Sequence, residues 1–305
     1  MLRQHLSSLA RRSWVRKAGM SMPGVRELAW RFVAGEGLEA AIAATRTLNA
    51  RGIVATLSNV GTHVREEAVA IAAAEAAVDA LRRIAAERVE ANVSVKPTQL
   101  GLDVDAELCR RELSRVLDAA RQCLSFVWID MEESAYTERI LVLFEELRRT
   151  YGDLVGVTLQ SYLHRNRGDL ARLAACGARI RLTKGGYWET GPAVLHRKAD
   201  IDEAFGRDLE FLLERGSYPA LATHDEDAIE RARRAAERAG PARGGFEFQM
   251  LYGVRSDLQE LLAHEGYAVR AYVPYGDEWW EYLLGCLRRV PGGVARRWVT
   301  KLRAG

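Results

Sequence analysis

The alternation of short apolar segments with longer amphipathic ones constrains the fold of this chain most. Eight segments with the length and composition of buried strands are each followed by a segment with helical periodicity. Such repeats give parallel strands joined by helices, and eight of them predict a closed barrel rather than an open sheet. The predicted strands are residues 53–57, 93–95, 126–129, 156–159, 179–182, 219–223, 246–250 and 269–273. The predicted helices are residues 65–88, 105–121, 137–150, 167–175, 201–214, 227–239, 256–264 and 277–289.

One barrel and a leading segment account for the 305 residues of the chain. A single α/β barrel commonly uses a chain of this length. We therefore predict an N-terminal helical arm over residues 1–51 and a (β/α)8 barrel of the TIM type over residues 52–305. The final predicted helix follows the eighth strand and is expected to cap the active site.

Charge and composition argue against several classes of protein. The formal net charge is +3, and basic residues are not interleaved with aromatic ones, so we expect no nucleic-acid partner. No apolar run has the length that a transmembrane helix needs. The histidines and cysteines lack metal-ligand spacing, so no metal is expected. The cysteines are predicted to be reduced thiols of a cytoplasmic protein: Cys109, Cys123, Cys176 and Cys286.

The first 26 residues have a strong charge imbalance. They contain six basic residues and no acidic residue, and their apolar residues include Leu2, Leu6, Leu9 and Trp14. The favoured interpretation is a solvated helix packed on the domain. The alternatives are a basic amphipathic helix in peripheral contact with an anionic membrane surface, or a targeting peptide. The predicted location is therefore cytoplasmic, with membrane association as the alternative.

Polar side chains end most of the predicted strands. In a (β/α)8 barrel the active site forms at the C-terminal ends of the strands. Burial of so many polar groups is costly unless they are paired, so a ring of them predicts a bulky polar ligand. The residues concerned are Lys96, Asp130, Gln160, Arg181, Lys184, Thr223, His224, Asp225, Glu247, Gln249 and Tyr275.

Seven segments also resemble the proline dehydrogenase family in order and spacing. They are NVSVKPTQLGLD, DMEESAYT, VTLQSYL, RLTKGGYWE, ATHDEDAI, FEFQMLYGVR and YVPYG, and RFVAGEGLEAAI resembles the N-terminal arm of the family. FEFQMLYG and RLTKGGYW are the most specific, because several unusual residues match together. The resemblance covers residues 31–291. It implies a barrel that binds FAD without the GxGxxG segment of a dinucleotide-binding domain, which this chain also lacks.

The resemblance implies which residues surround the FAD. Arg181 matches a position at the reactive edge of the flavin, where a cation stabilises charge on the reduced ring. The flavin would supply the hydride chemistry, while the protein orients it and tunes its electrostatics. The other cofactor-binding positions that the resemblance implies are Gln160, Lys184, Gly185, Gly186, Tyr187, Trp188, Thr223, His224 and Gln249.

The resemblance also implies a catalytic group on the substrate side of the flavin. Lys96 would help to hold a substrate carboxylate, Asp130 would support the polar network near it, and Tyr275 would pack against the substrate ring. Arg181 and Tyr282 complete the predicted set. The implied substrate is a small amine or amino-acid derivative that loses a hydride from the carbon next to nitrogen. The electrons would then pass to a quinone, oxygen or another acceptor.

Two segments depart from the family pattern. The last helix of the family carries Tyr-x-x-Arg-Arg-x-x-Glu, and its two arginines clamp the substrate carboxylate. Here Tyr282 is followed by Gly285 and Cys286 at the clamp positions, and Arg289 occupies the acidic position. Near the first strand, Thr62 replaces the glutamate that pairs with a clamp arginine. Both partners of that ion pair are therefore missing together.

The altered clamp leaves several hypotheses open. The preferred one is an FAD enzyme that oxidises a carbon–nitrogen bond in a proline-like amine. The carboxylate of this substrate would be absent, masked as an amide or ester, or recognised differently. Oxidation of an N–N or N–O bond is a related variant. The alternatives are an ordinary proline dehydrogenase, with Arg288 or Arg289 supplying the clamp, and a flavin-binding protein without turnover.

Overall fold

The computed structural model describes residues 24–240 and 245–289, and its centre is a closed barrel of eight parallel strands in chain order. Strand β8 pairs with β1 and closes the barrel. The strands are β1 Val54–Asn59, β2 Ala91–Val95, β3 Val127–Ile129, β4 Val155–Gln160, β5 Arg179–Thr183, β6 Pro219–Ala222, β7 Glu247–Leu251 and β8 Ala268–Tyr275.

Helices surround the barrel in the alternating order that the sequence predicts. Each predicted strand and helix overlaps an observed one, so the (β/α)8 prediction is confirmed. The helices are α1 Val25–Ala29, α2 Leu38–Asn49, α3 Glu67–Glu87, α4 Ala106–Gln122, α5 Thr137–Tyr151, α6 Asn166–Ala175, α7 Lys198–Arg215, α8 Glu226–Ala239, α9 Ser256–His264 and α10 Trp279–Arg289. Short 3-10 turns occupy Ser134–Tyr136 and Gly152–Leu154.

Strand register places polar side chains inside the barrel. Thr158, Arg181, Ala220 and Glu247 are paired neighbours across β4, β5, β6 and β7. Paired residues of adjacent strands point to the same face, and successive residues alternate between faces. Ile180 therefore points outward, where it is fully buried in the core between the barrel and its helices. The interior is thus available for a hydrogen-bonded polar network.

The position beside β1 and β8 on the barrel wall is filled by α2. Ala41, Ile42 and Leu48 of this helix belong to the same buried core as the barrel strands. In contrast, α10 packs on α1 through a second core that includes Trp279 and Leu283. The predicted domain boundary at residue 51 therefore falls between two elements that share one core.

Backbone contacts fix the arm near the mouth of the barrel. The amide of Ala34 donates to the carbonyl of Pro274 at 2.9 Å, and the amide of Gly276 donates to the carbonyl of Gly35 at 3.0 Å. Nearby, a Cβ on Gly253 would lie only 1.5 Å from the carbonyl oxygen of Arg31. Only glycine permits this close approach of two backbones.

Within the described residues, no helix combines the length and the apolarity that crossing a membrane would require. Residues 1–23 of the basic N-terminal segment lie outside the described residues, while Arg26 at its end lies in α1 and pairs with Glu36 at 3.0 Å.

Candidate active site

Arg181 is the centre of the polar network inside the barrel. Its side chain is 4% exposed, and its guanidinium lies 5.0 Å from the ring centroid of Trp128. Nε donates to Thr158 Oγ1 at 2.9 Å, and Nη2 donates to Ser94 Oγ at 2.8 Å and to Asp130 Oδ1. The buried cation is therefore compensated by one carboxylate and by neutral acceptors, as burial of a charge requires.

Asp130 is held from two further sides. Its Oδ1 accepts from Ser94 Oγ at 2.8 Å, and its Oδ2 accepts from the hydroxyl of Tyr272 at 2.9 Å. The Tyr272 hydroxyl also lies 2.8 Å from Ser58 Oγ. Burial, together with the charge of Asp130, raises the pKa of Tyr272 well above its usual value. The hydroxyl is therefore protonated at neutral pH and acts as a donor that fixes Asp130 opposite Arg181.

Tyr272 was not selected from the sequence, although the pattern of β8 contains a signal for it. Val269, Ala271 and Val273 are buried apolar residues at every second position, so Tyr272 between them points to the opposite face. The family resemblance instead implied that Tyr275 packs against the substrate ring. The structure places Tyr275 on the outward face in the apolar core, beside a small cavity that Ala73 and Ala77 of α3 also line.

Two unused hydrogen-bonding groups fit the edge of a flavin. A guanidinium carries five N–H donors. In the described residues, the Nε hydrogen of Arg181 and both Nη2 hydrogens have acceptors. One Nη1 hydrogen is donated to Gln249 Oε1 at 3.4 Å, and the other has no acceptor there. Gln160 donates from Nε2 to the carbonyl of Met131 at 3.3 Å, but its buried Oε1 has no partner in the described residues. One donor and one acceptor therefore remain for a polar ligand, as the resemblance implies.

The loop after β5 is built around Lys184 and Gly185. Lys184 Nζ contacts Asp202 of α7 and Asp225, whose own carboxylate caps the N-terminus of α8 by accepting from the amide of Asp227. Gly185 has a φ of +129°, and a Cβ there would lie 2.4 Å from the ring of Tyr162. The glycine therefore lets this loop pass over the Tyr162 ring, which supports it from below.

Thr223 and His224 follow β6 and connect it to β7. The amide of Thr223 donates to the carbonyl of Gln249 at 3.1 Å, and Nε2 of His224 accepts from the amide of Leu251 at 2.8 Å. Burial and the nearby Arg255 lower the pKa of His224 to about 4. His224 is therefore neutral at physiological pH, with its remaining proton on Nδ1.

The rest of the predicted cofactor set lies further along the β5 loop. Gly186 and Tyr187 are half-buried, whereas Trp188 is 70% exposed. Next to them, Glu189 accepts hydrogen bonds from the amide of Ser134 at 3.0 Å and from the hydroxyl of Tyr162. Trp188 is thus a large aromatic side chain on the surface beside the mouth, rather than a member of the Arg181 network.

Lys96 follows β2 as predicted and is half-buried. Its ammonium has no hydrogen-bond or ion-pair partner among the side chains of residues 24–240 and 245–284. The buried carboxyl of Glu132 lies near enough for the charge of Lys96 to lower its pKa, but burial dominates and raises it overall. Lys96 is therefore a cation at the mouth that is available to an anionic or polar group of a substrate.

The altered clamp positions are only partly visible. Thr62 follows β1 and is exposed, so a neutral side chain stands where the family glutamate is expected. Gly285, Cys286 and Arg289 lie in the helical backbone of α10, as does Arg288, but their side chains are outside the described residues.

One grouping was not predicted from the spacing of histidines and acids. His63, Glu132 and Glu133 each place a possible ligand atom within 4.8 Å of the others. However, Glu132 already accepts from the amide of Thr98 at 2.9 Å, and His63 Nδ1 lies 3.1 Å from Asp103 Oδ2. These contacts explain the grouping as a hydrogen-bonded link between the loops after β1, β2 and β3.

Comparison with known proteins agrees with this architecture. The family model described as "Proline dehydrogenase" matches residues 41–289. Proline dehydrogenase 2 of Bacillus subtilis is 34% identical over 272 residues, covering 89% of each chain. Proline dehydrogenase of Deinococcus radiodurans is 36% identical over 275 residues, covering 88% of each chain.

Solved structures show the same fold at lower identity. Proline utilization A from Bdellovibrio bacteriovorus, inactivated by N-propargylglycine, has a TM-score of 0.80 at 23% identity. The match covers 86% of this chain but only 32% of that protein, so the present chain spans about a third of its length. Proline utilization A from Bradyrhizobium japonicum gives TM-scores of 0.71 to 0.72 at 23% identity. The family model covers most of the chain, and the similar proline dehydrogenases have nearly the same length. The chain therefore belongs to the proline dehydrogenase family of flavin-dependent oxidoreductases.

Proposed function

We propose that this protein uses FAD to oxidise the carbon–nitrogen bond of a proline-like or otherwise modified amine. The observation that carries this proposal is the buried guanidinium of Arg181, which keeps one Nη1 hydrogen uncommitted inside a barrel of the proline dehydrogenase family. A fixed cation at the reactive edge of a flavin stabilises the negative charge that reduction places there.

We assign the cofactor contacts to the residues around the mouth. Gln160 Oε1 supplies the buried acceptor, and Nδ1 of neutral His224 supplies a donor. FAD would accept a hydride from the substrate when it is bound. The predicted contacts to its remaining parts are Lys184, Gly185, Gly186, Tyr187, Trp188, Thr223 and Gln249.

The substrate side is assigned to Lys96, Asp130 and Tyr272, and Tyr282 of α10 stays in the predicted set. Lys96 would attract a carboxylate or a carbonyl oxygen, while Asp130 would hold Arg181 in place. We place Tyr272 rather than Tyr275 beside the reacting group, because only the Tyr272 hydroxyl reaches Asp130.

The proposed substrate lacks an ordinary free carboxylate. Gly285, Cys286 and Thr62 cannot donate charged hydrogen bonds or form the ion pair of the family pattern. Each lost charged hydrogen bond is worth about 1.5–3 kcal/mol, so the loss of two arginines weakens carboxylate binding by several kcal/mol. Gly285 also costs about 1 kcal/mol relative to alanine in a helix, which is consistent with space for a bulkier substrate.

Free proline is the second candidate substrate. The relatives that are 34–36% identical over most of their length are named proline dehydrogenases. For proline to bind well, Arg288 or Arg289 would have to supply the clamp from one turn further along α10.

The test is a kinetic comparison of proline with its amide and its methyl ester, using the purified protein loaded with FAD. We expect a far higher Michaelis constant for proline, and a lower one after Gly285→Arg with Cys286→Arg. The gain is expected to be largest when Thr62→Glu is added, because an unpaired buried arginine is costly. Ordinary saturation of the wild type by proline would contradict the altered pocket and favour a clamp from Arg288 or Arg289.

Retention of FAD is tested separately. The purified protein should be yellow and carry FAD non-covalently, and Arg181→Ala should slow flavin reduction or release the FAD. An absorbance spectrum without flavin bands, even after incubation with excess FAD, would overturn the proposed function. Stopped-flow reoxidation with oxygen or with a short-chain quinone would identify the class of electron acceptor.

We further propose that the protein is cytoplasmic. The alternative is peripheral contact with a membrane through the basic residues 1–23. Sedimentation with anionic vesicles, compared between the full chain and a chain lacking these residues, separates the two. Salt-sensitive binding that depends on the segment would support the membrane contact.

A further inference from the structure

A second charge pair lies near Arg181 inside the barrel. Glu247 of β7 is 1% exposed and accepts from Arg270 Nε of β8 at 2.9 Å and 3.1 Å, through its two carboxylate oxygens. Nη1 of Arg270 donates to the carbonyl of Ala55 at 2.8 Å, which ties the pair to β1. None of the groups assigned above to FAD or substrate is part of this pair.

Gln249 connects this pair to Arg181. Glu247 and Gln249 are two residues apart in β7, so both face the interior. The Nε2 amide of Gln249 donates to Glu247 Oε1, and its Oε1 accepts from Arg181 Nη1 at 3.4 Å. The neighbouring strand β6 contributes only Ala220 and Ala222 to this face, which leaves space for the connection.

The chemistry of the two ends fixes the orientation of Gln249. A guanidinium can only donate hydrogen bonds, and an ionised carboxylate can only accept them. Gln249 must therefore turn its carbonyl toward Arg181 and its amino group toward Glu247. Bridging by an oriented amide also transmits polarisation, because linked hydrogen bonds in a low-dielectric interior strengthen one another.

We propose that the Glu247–Arg270 pair is a positioning device for Arg181 and, through Gln249, sets the reduction potential of the flavin. Gln249 engages one Nη1 hydrogen of Arg181, which directs the other toward the mouth. This inference rests on the proposed function, since it requires flavin above Arg181. It adds that the strength of the cofactor as an oxidant depends on a pair that touches neither cofactor nor substrate.

The test removes both charges together, so that the net charge of the interior does not change. In Glu247→Gln with Arg270→Gln, we expect the flavin potential to fall, because the cation is held less firmly at the edge that becomes negative. The expected size is about a tenfold change in the reduction equilibrium, or about 30 mV for a two-electron couple. The Michaelis constant should change little, while the rate of flavin reduction falls.

Further variants separate a positioning role from general damage to the fold. Tyr218→Phe removes the hydroxyl that donates to Glu247 Oε2 at 3.4 Å, a contact not shared with Gln249, and should leave the potential unchanged. Glu247→Asp keeps the carboxylate and should recover part of the loss in the single variant Glu247→Gln. If the double variant does not fold, Arg270→Lys provides the measurement, because it keeps the charge but loses the planar fork of arginine.

The outcomes are distinct. The inference would be overturned if the flavin potential were unchanged in the double variant or in Arg270→Lys, and only the free energy of unfolding of the cofactor-free protein were lower. That result would show that the pair is merely structural. A wild-type protein that binds no flavin would overturn the proposed function itself. A lowered potential with bound FAD and an unchanged Tyr218→Phe control would support the positioning role.

Discussion

The buried Asp130–Arg181 pair should make stability and function separable by substitution. Asp130→Ala removes the acceptor of three hydrogen bonds, from Ser94, Arg181 and Tyr272. It leaves a guanidinium that is 4% exposed without its counter-charge. Removal of one partner from a buried ion pair typically costs about 3–5 kcal/mol. We expect a loss of that size in the free energy of unfolding.

The second half of the prediction is that a second substitution recovers part of the lost free energy of unfolding. In Asp130→Ala with Arg181→Met, no buried charge remains, and replacement of both partners by apolar groups is often nearly neutral. The double variant should therefore be at least about 2 kcal/mol more stable than Asp130→Ala. The coupling energy from a double-mutant cycle should be at least as large, because Arg181→Met alone also leaves a buried charge unpaired. Flavin reduction should stay impaired, because the cation is absent.

The assay is urea unfolding of the cofactor-free variants, followed by tryptophan fluorescence at neutral pH. Asp130→Asn is the matched control, since it retains an acceptor oxygen in the same shape and should lose less stability than alanine. The reasoning would be refuted if Asp130→Ala cost under about 1 kcal/mol, or if the losses of the two single variants simply added.

Three further predictions follow from single side chains. The pKa of His224 is about 4 in the folded protein and about 6.5 ordinarily, so the unfolded chain binds more protons between these values. The contribution of His224 to the free energy of unfolding should be fully present above pH 6.5 and should fall by up to about 3 kcal/mol toward pH 4. Urea titrations in this pH range should show a weaker pH dependence for His224→Gln. Tyr272→Phe should cost about 1–3 kcal/mol in urea unfolding by removing a hydrogen bond to a buried carboxylate, while Tyr275→Phe should cost clearly less; equal losses would contradict the assigned faces of β8. Gly253→Ala should lose more thermal stability than Gly266→Ala, because both have positive φ but only Gly253 lies against another backbone; similar melting temperatures would argue against the close approach.

The sequence by itself determined the order of strands and helices and placed each strand end within about two residues. Period-two and helical patterns report which residues are buried along one element, and this information is local. It therefore placed Asp130 and Gln160 at strand ends and Arg181 within the fifth strand, and in the structure all three side chains are buried. The family motifs added the cofactor and the reaction, which no local pattern contains.

The tertiary structure decided which of these residues meet. Contact across the barrel depends on register and on the size of intervening side chains, and neither follows from one strand alone. The contact of Tyr272 with Asp130, the link from Arg270 through Glu247 to Gln249, and the packing of α2 beside β1 and β8 are results of this kind. The link from Arg270 to Gln249 depends on the register of β7 and β8. The packing of α2 and the contact of Arg270 with Ala55 required the closed barrel, because β1 and β8 are far apart in sequence and meet only when the barrel closes.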